Sequence, residues 1–490
     1  MDSGKINLKR VIRALEKKEI KDFDVKFEAA KNKYSSFLSL EQQKAFYALE
    51  GQYLVIAGAG SGKTRTIVYR SAFLLEKGIE PESILMITFT RKACYEMKER
   101  LEKIVGKKNI GIKIMTFHSF CAHLLYKYKS VFKIADLKII ADSQKENIIK
   151  KILELEEITK FKIEKRPSLD KVIKCISKLN ILKKTENSRD DKKTLQYIKL
   201  INARFNEYKK ENDFFEFDDI IEKVVKKLQE NKRFLNYLRN KIKYLVVDEY
   251  QDSNFLQRSL LKLLVGNTGN LMVVGDDYQS IYGFRGADFT NILKFGVDFP
   301  DAKLIKMKTN YRSADQIIKF TNKIAEKFRL KYEKTACGTD KKNGKIYRNQ
   351  FKNEDKQWEY ICKKIEKLYE SGVGYNEIGI LFRNRYVTKK LESYLKRFEI
   401  PFHKKEEDKQ DGVALLSIHS AKGLEWEAVF VPTLLEGVFP SYETLEELEE
   451  EKRLFYVACS RAKRFLFLLY PQFFYEKTGY FDKKSQFLLY

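Results

Sequence analysis

The chain has 490 residues, and its 95 lysines and arginines outnumber its 68 aspartates and glutamates, which leaves a formal net charge of +27. Because single hydrophobic cores stop growing at about 250–300 residues, this length predicts at least two domains. So large a positive surplus attracts polyanions, which makes nucleic acid the leading predicted partner, although a biased base composition also produces lysine-rich chains.

Other protein classes are disfavoured by the same composition. The six cysteines lie far apart without a CxxC pair, which predicts reduced thiols in a cytoplasmic protein. Neither these cysteines nor the four histidines have the spacing of zinc or iron–sulfur ligands. The N-terminal residues lack the apolar core of a signal peptide, and no uncharged apolar run is long enough to span a bilayer, so membrane attachment is not expected.

The predicted elements begin with a basic helical extension over residues 1–37. The apolar strands YLVIA, SILMITFT, KYLVVDEY and NLMVVGDD follow, separated by charged helices. This alternation predicts an α/β domain with a parallel sheet covered by helices, over residues 38–123 and 213–289. Between them, residues 124–212 are rich in lysine and glutamate at helical spacing, which predicts a helical insertion. A second alternation, with strands IGILFRN, VALLSIHS, AVFVPTL and RFLFLLY, predicts a second α/β domain over residues 290–490.

A glycine-rich loop follows the first predicted strand and opens a helix. It reads Ala57, Gly58, Ala59, Gly60, Ser61, Gly62, Lys63, Thr64. Backbone N–H groups at such a helix N-terminus bind phosphates, so we expect Lys63 to reach the β- and γ-phosphates of ATP and the Thr64 hydroxyl to ligate Mg²⁺. The strict pattern begins with glycine, where this chain has Ala57.

A second apolar strand ends in two acids, Asp248 and Glu249. A carboxylate at the end of a strand can bind Mg²⁺, which is the role expected for Asp248, and Glu249 can orient and deprotonate a water molecule. Solvated acids capping a strand would look the same. Together with the upstream glycine loop, the pair predicts hydrolysis of the nucleotide and not only its binding.

Further motifs follow these two in a fixed order. They read LSLEQQKA from Leu38, TFT from Thr88, TFHS from Thr116, DEYQD from Asp248, VGDDYQSIYGFRGA from Val274, NYRS from Asn310, HSAKGLEW from His419 and YVACSRA from Tyr456. Together they resemble the UvrD/Rep/PcrA family of superfamily 1A DNA helicases, from about Leu38 to Tyr470. The resemblance implies two RecA-like P-loop domains with ATP bound in the cleft between them.

The resemblance also implies roles for individual residues. Gln42 would read the adenine edge, Arg65 and Tyr311 would flank the base, and Glu425 would hold the ribose. Gln279, Arg312 and Arg461 would contact the γ-phosphate and, with Lys63 and Glu249, form the catalytic set. The implied contacts to single-stranded DNA are Thr88, Phe89, Thr116, His118, Tyr282, Phe284, Arg285 and His419. Phe284 stands where the family usually has tryptophan and Gln43 where arginine is common, so we expect a weaker stacking surface.

The implied function is an ATP-dependent translocase or helicase on single-stranded or tailed duplex DNA, with 3′ to 5′ movement. Family members insert a further subdomain, 2B, where this chain has only residues 403–412, so we expect 2B to be absent. Two alternatives stay open: a self-sufficient motor, or a motor or ATP-switch subunit that needs a partner such as a nuclease. Residues 1–37 are the candidate docking element for that partner. The pathway, whether repair, replication, plasmid maintenance or antiphage defence, also stays open.

Overall fold

The computed structural model describes residues 7–20, 33–134, 136–182, 192–282, 290–339, 343–384, 387–405, 411–442, 444–476 and 479–490. Its strands are β1 (Gln52–Ala57), β2 (Ile84–Thr88), β3 (Lys113–Thr116), β4 (Lys138–Ile139), β5 (Phe214–Phe215), β6 (Tyr244–Val247), β7 (Asn270–Gly275), β8 (Lys303–Met307), β9 (Lys345–Phe351), β10 (Ile378–Phe382), β11 (Phe402–His403), β12 (Val413–Ser417), β13 (Trp426–Val431), β14 (Ala462–Pro471), β15 (Phe474–Glu476) and β16 (Gly479–Phe481).

The helices lie between these strands. They are α1 (Leu8–Glu16), α2 (Leu40–Tyr47), α3 (Lys63–Glu76), α4 (Arg91–Val105), α5 (Phe117–Lys127), α6 (Lys129–Phe132), α7 (Asp142–Leu153), α8 (Glu156–Thr159), α9 (Leu169–Leu182), α10 (Lys192–Glu211), α11 (Phe217–Glu230), α12 (Lys232–Lys241), α13 (Phe255–Val265), α14 (Thr290–Leu293), α15 (Phe295–Asp298), α16 (Asp315–Glu326), α17 (Glu354–Glu370), α18 (Thr388–Arg397) and α19 (Leu445–Ser460). None of the helices in the described part of the chain has the length and apolar character that a membrane span requires.

The first sheet is parallel, in the order β3-β2-β6-β7-β1-β8. Successive side chains of a strand point to opposite faces, and both faces of this sheet are covered: Leu54 and Ile56 of β1 lie in one core, and Tyr53 and Val55 lie in the other. A strand that is buried on both faces is a continuous apolar run. For this reason β1, β2, β6 and β7 coincide with strands expected from the sequence.

The edge strand β8 belongs to the first sheet, whereas the predicted domain boundary at residue 290 assigns it to the second domain. It pairs in parallel with β1 in the first sheet. The strand reads KLIKM, and its Lys306 is buried and forms ion pairs with Glu16 and Glu19 at 3.2 and 3.1 Å. This lysine interrupts the apolar pattern from which a strand is predicted, and its ion-pair partners are distant in the sequence. The strand is therefore not predicted from the local sequence.

The N-terminal segment was expected to be an extension outside the first domain, but its described part packs against that domain. The Asn7 side chain accepts a hydrogen bond from Arg10 N at 3.2 Å and so caps α1, whose Ile12 and Leu15 are buried in the first-domain core. Ile20 N then donates to the carbonyl of Leu304 in β8 at 2.9 Å. The described part of this segment, residues 7–20, therefore covers the β8 edge of the first sheet.

The predicted helical insertion is present, but it starts later than residue 124. Leu124 and Leu125 of α5 lie in the first-domain core, whereas helices α7 to α10 surround a separate core that includes Ile149 and Ile201. The short parallel pair β4 and β5 joins the two ends of the insertion. The apolar face of α5 thus belongs to the sheet domain that precedes the insertion.

The second sheet is also parallel, in the order β11-β12-β10-β13-β14-β9. Its two faces carry separate cores, with Leu381 in one and Ile380 in the other. Two parallel sheets, each between layers of helices, confirm the predicted fold class of two RecA-like domains with a helical insertion in the first.

Candidate nucleotide cleft and strand track

The glycine loop connects β1 to the N-terminus of α3, and two of its glycines are required by geometry. Gly60 and Gly62 have φ of +71° and +80°, which disfavours residues with a Cβ. A Cβ on Gly60 would lie 2.5 Å from Asn310 Oδ1, and one on Gly62 would lie 2.7 Å from Gln42 Nε2. The loop is therefore packed between the first domain and the chain that enters the second.

The two oxygen ligands expected for Mg²⁺ lie next to each other. The Thr64 hydroxyl, at the start of α3, donates to Asp248 Oδ2 at 3.0 Å. Burial raises the pKa of Asp248 to about 7, and the neighbouring Glu249 adds to the increase, whereas the Lys63 ammonium opposes it. A hydroxyl beside a carboxylate fits a small cation that prefers oxygen ligands.

Glu249 follows Asp248 in a left-handed backbone conformation, with φ of +52°. This conformation is uncommon for a residue other than glycine and is often found at functional sites. Burial acts to raise the pKa of Glu249, but the Lys63 and Lys422 ammonium groups hold it below its ordinary value. Gln251 Nε2 donates to Glu249 Oε2 at 2.5 Å and fixes the carboxylate in place.

A chain of hydrogen bonds connects Glu249 to the second domain, and we call it the Glu249–Arg461 chain. Gln251 donates to Glu249 and accepts from Asp276 N at 3.0 Å. Asp276 Oδ2 accepts from Gln279 Nε2 at 2.6 Å, and Gln279 Oε1 accepts from Arg461 Nη2 at 3.0 Å. Burial lowers the pKa of Arg461 to about 9, with the nearby Arg312 contributing, so the guanidinium remains charged at neutral pH.

Two members of this chain, Gln251 and Asp276, were not among the site residues expected from the sequence. Both lie inside motifs that the sequence displays, DEYQD and VGDDYQS. A motif does not reveal which of its polar side chains face one another, because that depends on how β6 and β7 pair.

Arg312 and Glu425, for which the resemblance implies separate nucleotide contacts, form an ion pair. Arg312 Nε donates to Glu425 Oε2 at 2.5 Å, and Arg312 Nη1 donates to the carbonyl of Ser460 at 3.3 Å. Lys463 lies 3.3 Å from the other oxygen of Glu425. Although burial acts to raise it, the pKa of Glu425 is held below its ordinary value by Arg312 and Lys463.

The residues expected around the base surround the glycine loop. Gln42 is buried in the capping box of α2, and its Nε2 donates to the carbonyl of Ser61 at 2.9 Å. Arg65 donates to the carbonyl of Phe37 at 2.9 Å. Tyr311 N donates to the carbonyl of Gly60 at 2.9 Å, while the Tyr311 side chain is 39% exposed.

Lys422, which carried no expected role, crosses between the domains. Its ammonium donates to Asp252 Oδ2 at 2.5 Å and to the carbonyl of Gln279 at 2.7 Å. The same ammonium lies 4.9 Å from the ring centroid of Tyr282. Lys422 therefore contacts both the segment of Gln279 and one of the expected strand contacts. Its place in the HSAKGLEW motif is the sequence feature from which a role for Lys422 could have been predicted.

The expected strand contacts of the first domain lie at or just after the carboxyl ends of β2 and β3. The Thr116 hydroxyl accepts from Ser119 N at 3.1 Å and caps α5, and Phe89 packs on Phe117 with ring centroids 6.2 Å apart. Thr88 is buried, so its side chain does not face the surface. His118 Nε2 lies 3.9 Å from the Asp218 carboxylate.

The other expected strand contacts join the two domains. The Tyr282 hydroxyl donates to the carbonyl of His419 at 3.3 Å. Phe284 and Arg285 lie outside the described residues. The described contacts thus bring Tyr282 and His419 together, next to Lys422.

Comparison with known proteins agrees with this geometry. The chain matches the UvrD/REP helicase N-terminal domain over residues 38–300, and the UvrD-like helicase C-terminal domain over residues 305–410 and 403–472. The chain therefore belongs to the UvrD/Rep helicase family.

The chain aligns with only part of the length of each relative. The chain is similar to the ATP-dependent DNA helicase PcrA of Staphylococcus epidermidis RP62A, at 36% identity over 370 residues, which are 74% of this chain and 50% of that protein. It is 35% identical to PcrA of Staphylococcus aureus Mu50 over 376 residues, 76% of this chain and 51% of that protein. The chain thus spans about half the length of the curated relatives it matches.

A solved C-terminal domain of a possible DNA helicase from Lactobacillus plantarum covers 36% of this chain and 91% of its own, at 20% identity and a TM-score of 0.27. That overlap is too low to support an argument.

Proposed function

We propose that the protein is an ATP-driven motor that moves along single-stranded DNA, in the 3′ to 5′ direction, and acts as a helicase. The observation that carries the proposal is the Glu249–Arg461 chain, which links the acid proposed to orient water to an arginine of the second domain. Arginines supplied across a cleft stabilise transition-state charge only when the two sides meet, so hydrolysis and domain closure become one event.

The proposal assigns a residue to each nucleotide contact. The glycine loop and Lys63 would bind the phosphates, and Thr64 with Asp248 would ligate Mg²⁺. Bound ATP and Mg²⁺ supply the reactive phosphoryl group and the charge that neutralises it. Gln42, Arg65 and Tyr311 would hold the base, and Glu425 the ribose. Glu249 would orient water, while Gln279, Arg312 and Arg461 would contact the γ-phosphate.

The arrangement also supports coupling to the strand. Lys422 contacts Gln279 on one side and the Tyr282 ring on the other. A conformational change in the cleft would therefore alter the positions of Tyr282 and of the His419 carbonyl that accepts its hydrogen bond. With repeated opening and closing of the cleft, the two domains would take turns in binding the strand tightly. The protein would thereby move along the strand.

The test is ATP hydrolysis with and without single-stranded DNA. We expect stimulation by DNA, loss of hydrolysis in Lys63→Ala, and near-normal hydrolysis in Lys77→Ala, which removes an exposed lysine just after the same helix. Absence of stimulation, or unchanged hydrolysis in Lys63→Ala, would refute the motor.

The alternative is a motor or ATP-switch subunit that needs a partner such as a nuclease. It is supported by the short connection between β11 and β12, where only residues 404–412 occupy the position of the family's 2B subdomain. Strand displacement on 3′-tailed and 5′-tailed duplexes separates the two proposals. Displacement of the 3′-tailed substrate by the protein alone favours the self-sufficient helicase. ATP hydrolysis without displacement, followed by displacement when a nuclease partner is added, favours the subunit.

A further inference from the structure

The first domain carries a positively charged surface remote from the nucleotide loop. We call it the basic-aromatic patch and define it by Lys113, Lys127, Lys241, Tyr126, Tyr128 and Tyr237. Lys113 is the first residue of β3, Lys127 is the last of α5, and Lys241 is the last of α12, just before β6. Strands of a parallel sheet begin at one edge and end at the other, so the patch lies opposite the edge that carries Thr88, Thr116 and the glycine loop.

Two lysines of the patch lie against its tyrosines: Lys127 Nζ is 5.9 Å from the centre of the Tyr128 ring, and Lys241 Nζ is 4.8 Å from the centre of the Tyr237 ring. Burial holds the pKa of Lys113 below its ordinary value, and the ammonium groups of Lys127 and Lys241 lower it further. Among the described residues, no carboxylate forms an ion pair with any of the three. Two acids lie nearby: Glu82 acts on Lys113, and Asp136 lies 3.8 Å from Lys129, which follows Tyr128. The balance is a net positive surface beside an edge strand.

Two tyrosines of the patch, Tyr126 and Tyr237, are exposed, and Tyr237 is held in place by the half-buried Tyr128. Tyr126 is 68% exposed and Tyr237 is 41% exposed. The hydroxyls of Tyr128 and Tyr237 lie 3.3 Å apart, and the Tyr128 ring packs against the buried Phe234 with centroids 5.1 Å apart. Lys241 lies 4.8 Å from the centre of the Tyr237 ring. Rings fixed in this way offer planar faces next to positive charges.

We propose that the basic-aromatic patch is a second binding site for single-stranded nucleic acid. Lysines attract the phosphates, and exposed aromatic faces stack on any base, which is the combination used to bind single strands without sequence preference. An acidic peptide would use the lysines but would leave the tyrosine faces without partners. The inference goes beyond the proposed motor, since binding at the patch does not require ATP hydrolysis.

The position of the patch gives a test based on strand length. A short strand can occupy the proposed track at the carboxyl ends of β2 and β3, whereas only a long strand can also pass around the β3 edge to the patch. The variant is Lys127→Glu/Lys241→Glu. The matched control is Lys389→Glu/Lys396→Glu, which makes the same charge change at exposed lysines of α18 in the second domain.

Affinity for short and long oligothymidine is measured by fluorescence anisotropy over a range of salt concentrations, without ATP. We expect the patch variant to lose about tenfold in affinity for the long strand. Loss of two phosphate contacts also lowers the slope of log affinity against log salt by about 1.4. Affinity for the short strand and its stimulation of ATP hydrolysis should be unchanged, and the control should bind both strands normally.

A neutral pair of variants keeps the test independent of charge reversal. Tyr126→Ala should weaken long-strand binding by about fivefold or more, because stacking on an aromatic side chain contributes that much per base, and Tyr126→Phe should restore it. The proposal is overturned if the control loses as much affinity as the patch variant, or if short and long strands are weakened equally. It is also overturned if the variants affect only binding of blunt duplex or of polyglutamate. Failure of the motor would instead appear as unstimulated ATP hydrolysis.

Discussion

Gln251 shows how one buried side chain can hold the carboxylate of Glu249, which is proposed to orient water. It is fully buried, and it bonds to Glu249 through its nitrogen and to the backbone of Asp276 through its oxygen. In Gln251→Ala both partners lose their hydrogen bonds inside the cleft. We expect the kcat of DNA-stimulated ATP hydrolysis to fall about tenfold to a hundredfold, as for other residues that orient a catalytic group.

The matched control for this prediction is Gln52→Ala. Gln52 is also buried and donates to the carbonyls of Gly266 and Asn267 at 3.2 and 3.1 Å, at the opposite end of β1 from the glycine loop. Its loss should lower the melting temperature without lowering kcat. Equal loss of kcat in both variants would show that Gln251 acts only through stability.

Gly60 allows a second prediction at the residue scale. In Gly60→Ala the new Cβ would meet Asn310 Oδ1 at 2.5 Å, in addition to the strain of a positive φ. Gly78→Ala has the same strain, with φ of +80°, but nothing lies within 4 Å of the new Cβ. We expect each variant to lose about 1–2 kcal/mol of stability from strain. Only Gly60→Ala should weaken binding of a fluorescent ATP analogue, and normal binding there would contradict the prediction.

Elements were predictable from the sequence where burial on both faces made them apolar. The strands β1, β2, β6 and β7 met that condition. Edge strand β8 did not, because Lys306 is neutralised by Glu16 and Glu19 from the N-terminal segment. An ion-pair partner that lies at the other end of the domain's sequence cannot be predicted from a local sequence pattern. The same limit applies to the site, where the motifs predicted Glu249, Gln279 and Arg461 but not Gln251 and Asp276, which connect them.

The N-terminal helix gives the next prediction. Leu15 is buried against α15, where a Cβ on Gly296 would lie 3.6 Å from Leu15 Cβ. We expect Leu15→Ala to lower the free energy of unfolding of the first domain by about 2–5 kcal/mol, from lost burial and a cavity. Arg13→Ala, on the exposed side of the same helix, should be nearly neutral. Denaturant unfolding measures both, and equal stabilities would contradict the packing.

The insertion is attached through a buried ionic cluster. Glu216 accepts from Lys145 at 2.6 Å and from Lys209 at 2.9 Å, and Lys209 also bonds to Asp219 at 2.7 Å. In Glu216→Gln two largely buried ammonium groups lose a countercharge, so we expect a loss of about 3–5 kcal/mol. Glu157→Gln is the control, because Glu157 pairs with Arg204 on the exposed surface of the insertion, where a salt bridge contributes about 0–1 kcal/mol.

The dependence of this effect on pH follows from the direction of the shift. Burial acts to raise the pKa of Glu216, but Lys145 and Lys209 hold it below its ordinary value of 4.5. Its stabilisation is therefore present above pH 4.5 and is lost as the pH falls through the lowered pKa. The difference in unfolding free energy between the native protein and Glu216→Gln should shrink over that range. A difference that stays constant would indicate that packing, and not charge, holds the insertion.

At the scale of the whole molecule, the two domains meet through charged side chains and through apolar ones, because Tyr278 and Ile281 of the first domain are buried in a core of the second. Arg461 bonds to Gln279, and Lys422 bonds to Asp252 and to the carbonyl of Gln279. Arg453, also from the second domain, donates to the carbonyl of Asp277 at 3.2 Å. The polar contacts can break and re-form at little cost, as the proposed opening and closing of the cleft requires.

Arg461 is the side chain on which the proposed coupling of hydrolysis to closure depends most directly. It is buried and reaches Gln279 across the domain boundary, so Arg461→Ala removes the positive charge from the cleft together with a buried side chain. Because an arginine finger contributes about 10³-fold or more to phosphoryl transfer, we expect kcat for ATP hydrolysis to fall by that factor. Arg464→Ala is the control, since Arg464 lies three residues further along and pairs weakly with Glu427 at 4.0 Å. Steady-state ATP hydrolysis with saturating single-stranded DNA measures both variants, and melting temperatures verify folding. If Arg464→Ala lowers kcat as strongly, or if Arg461→Ala remains active, then the second domain does not supply the catalytic charge and the link between hydrolysis and closure is lost.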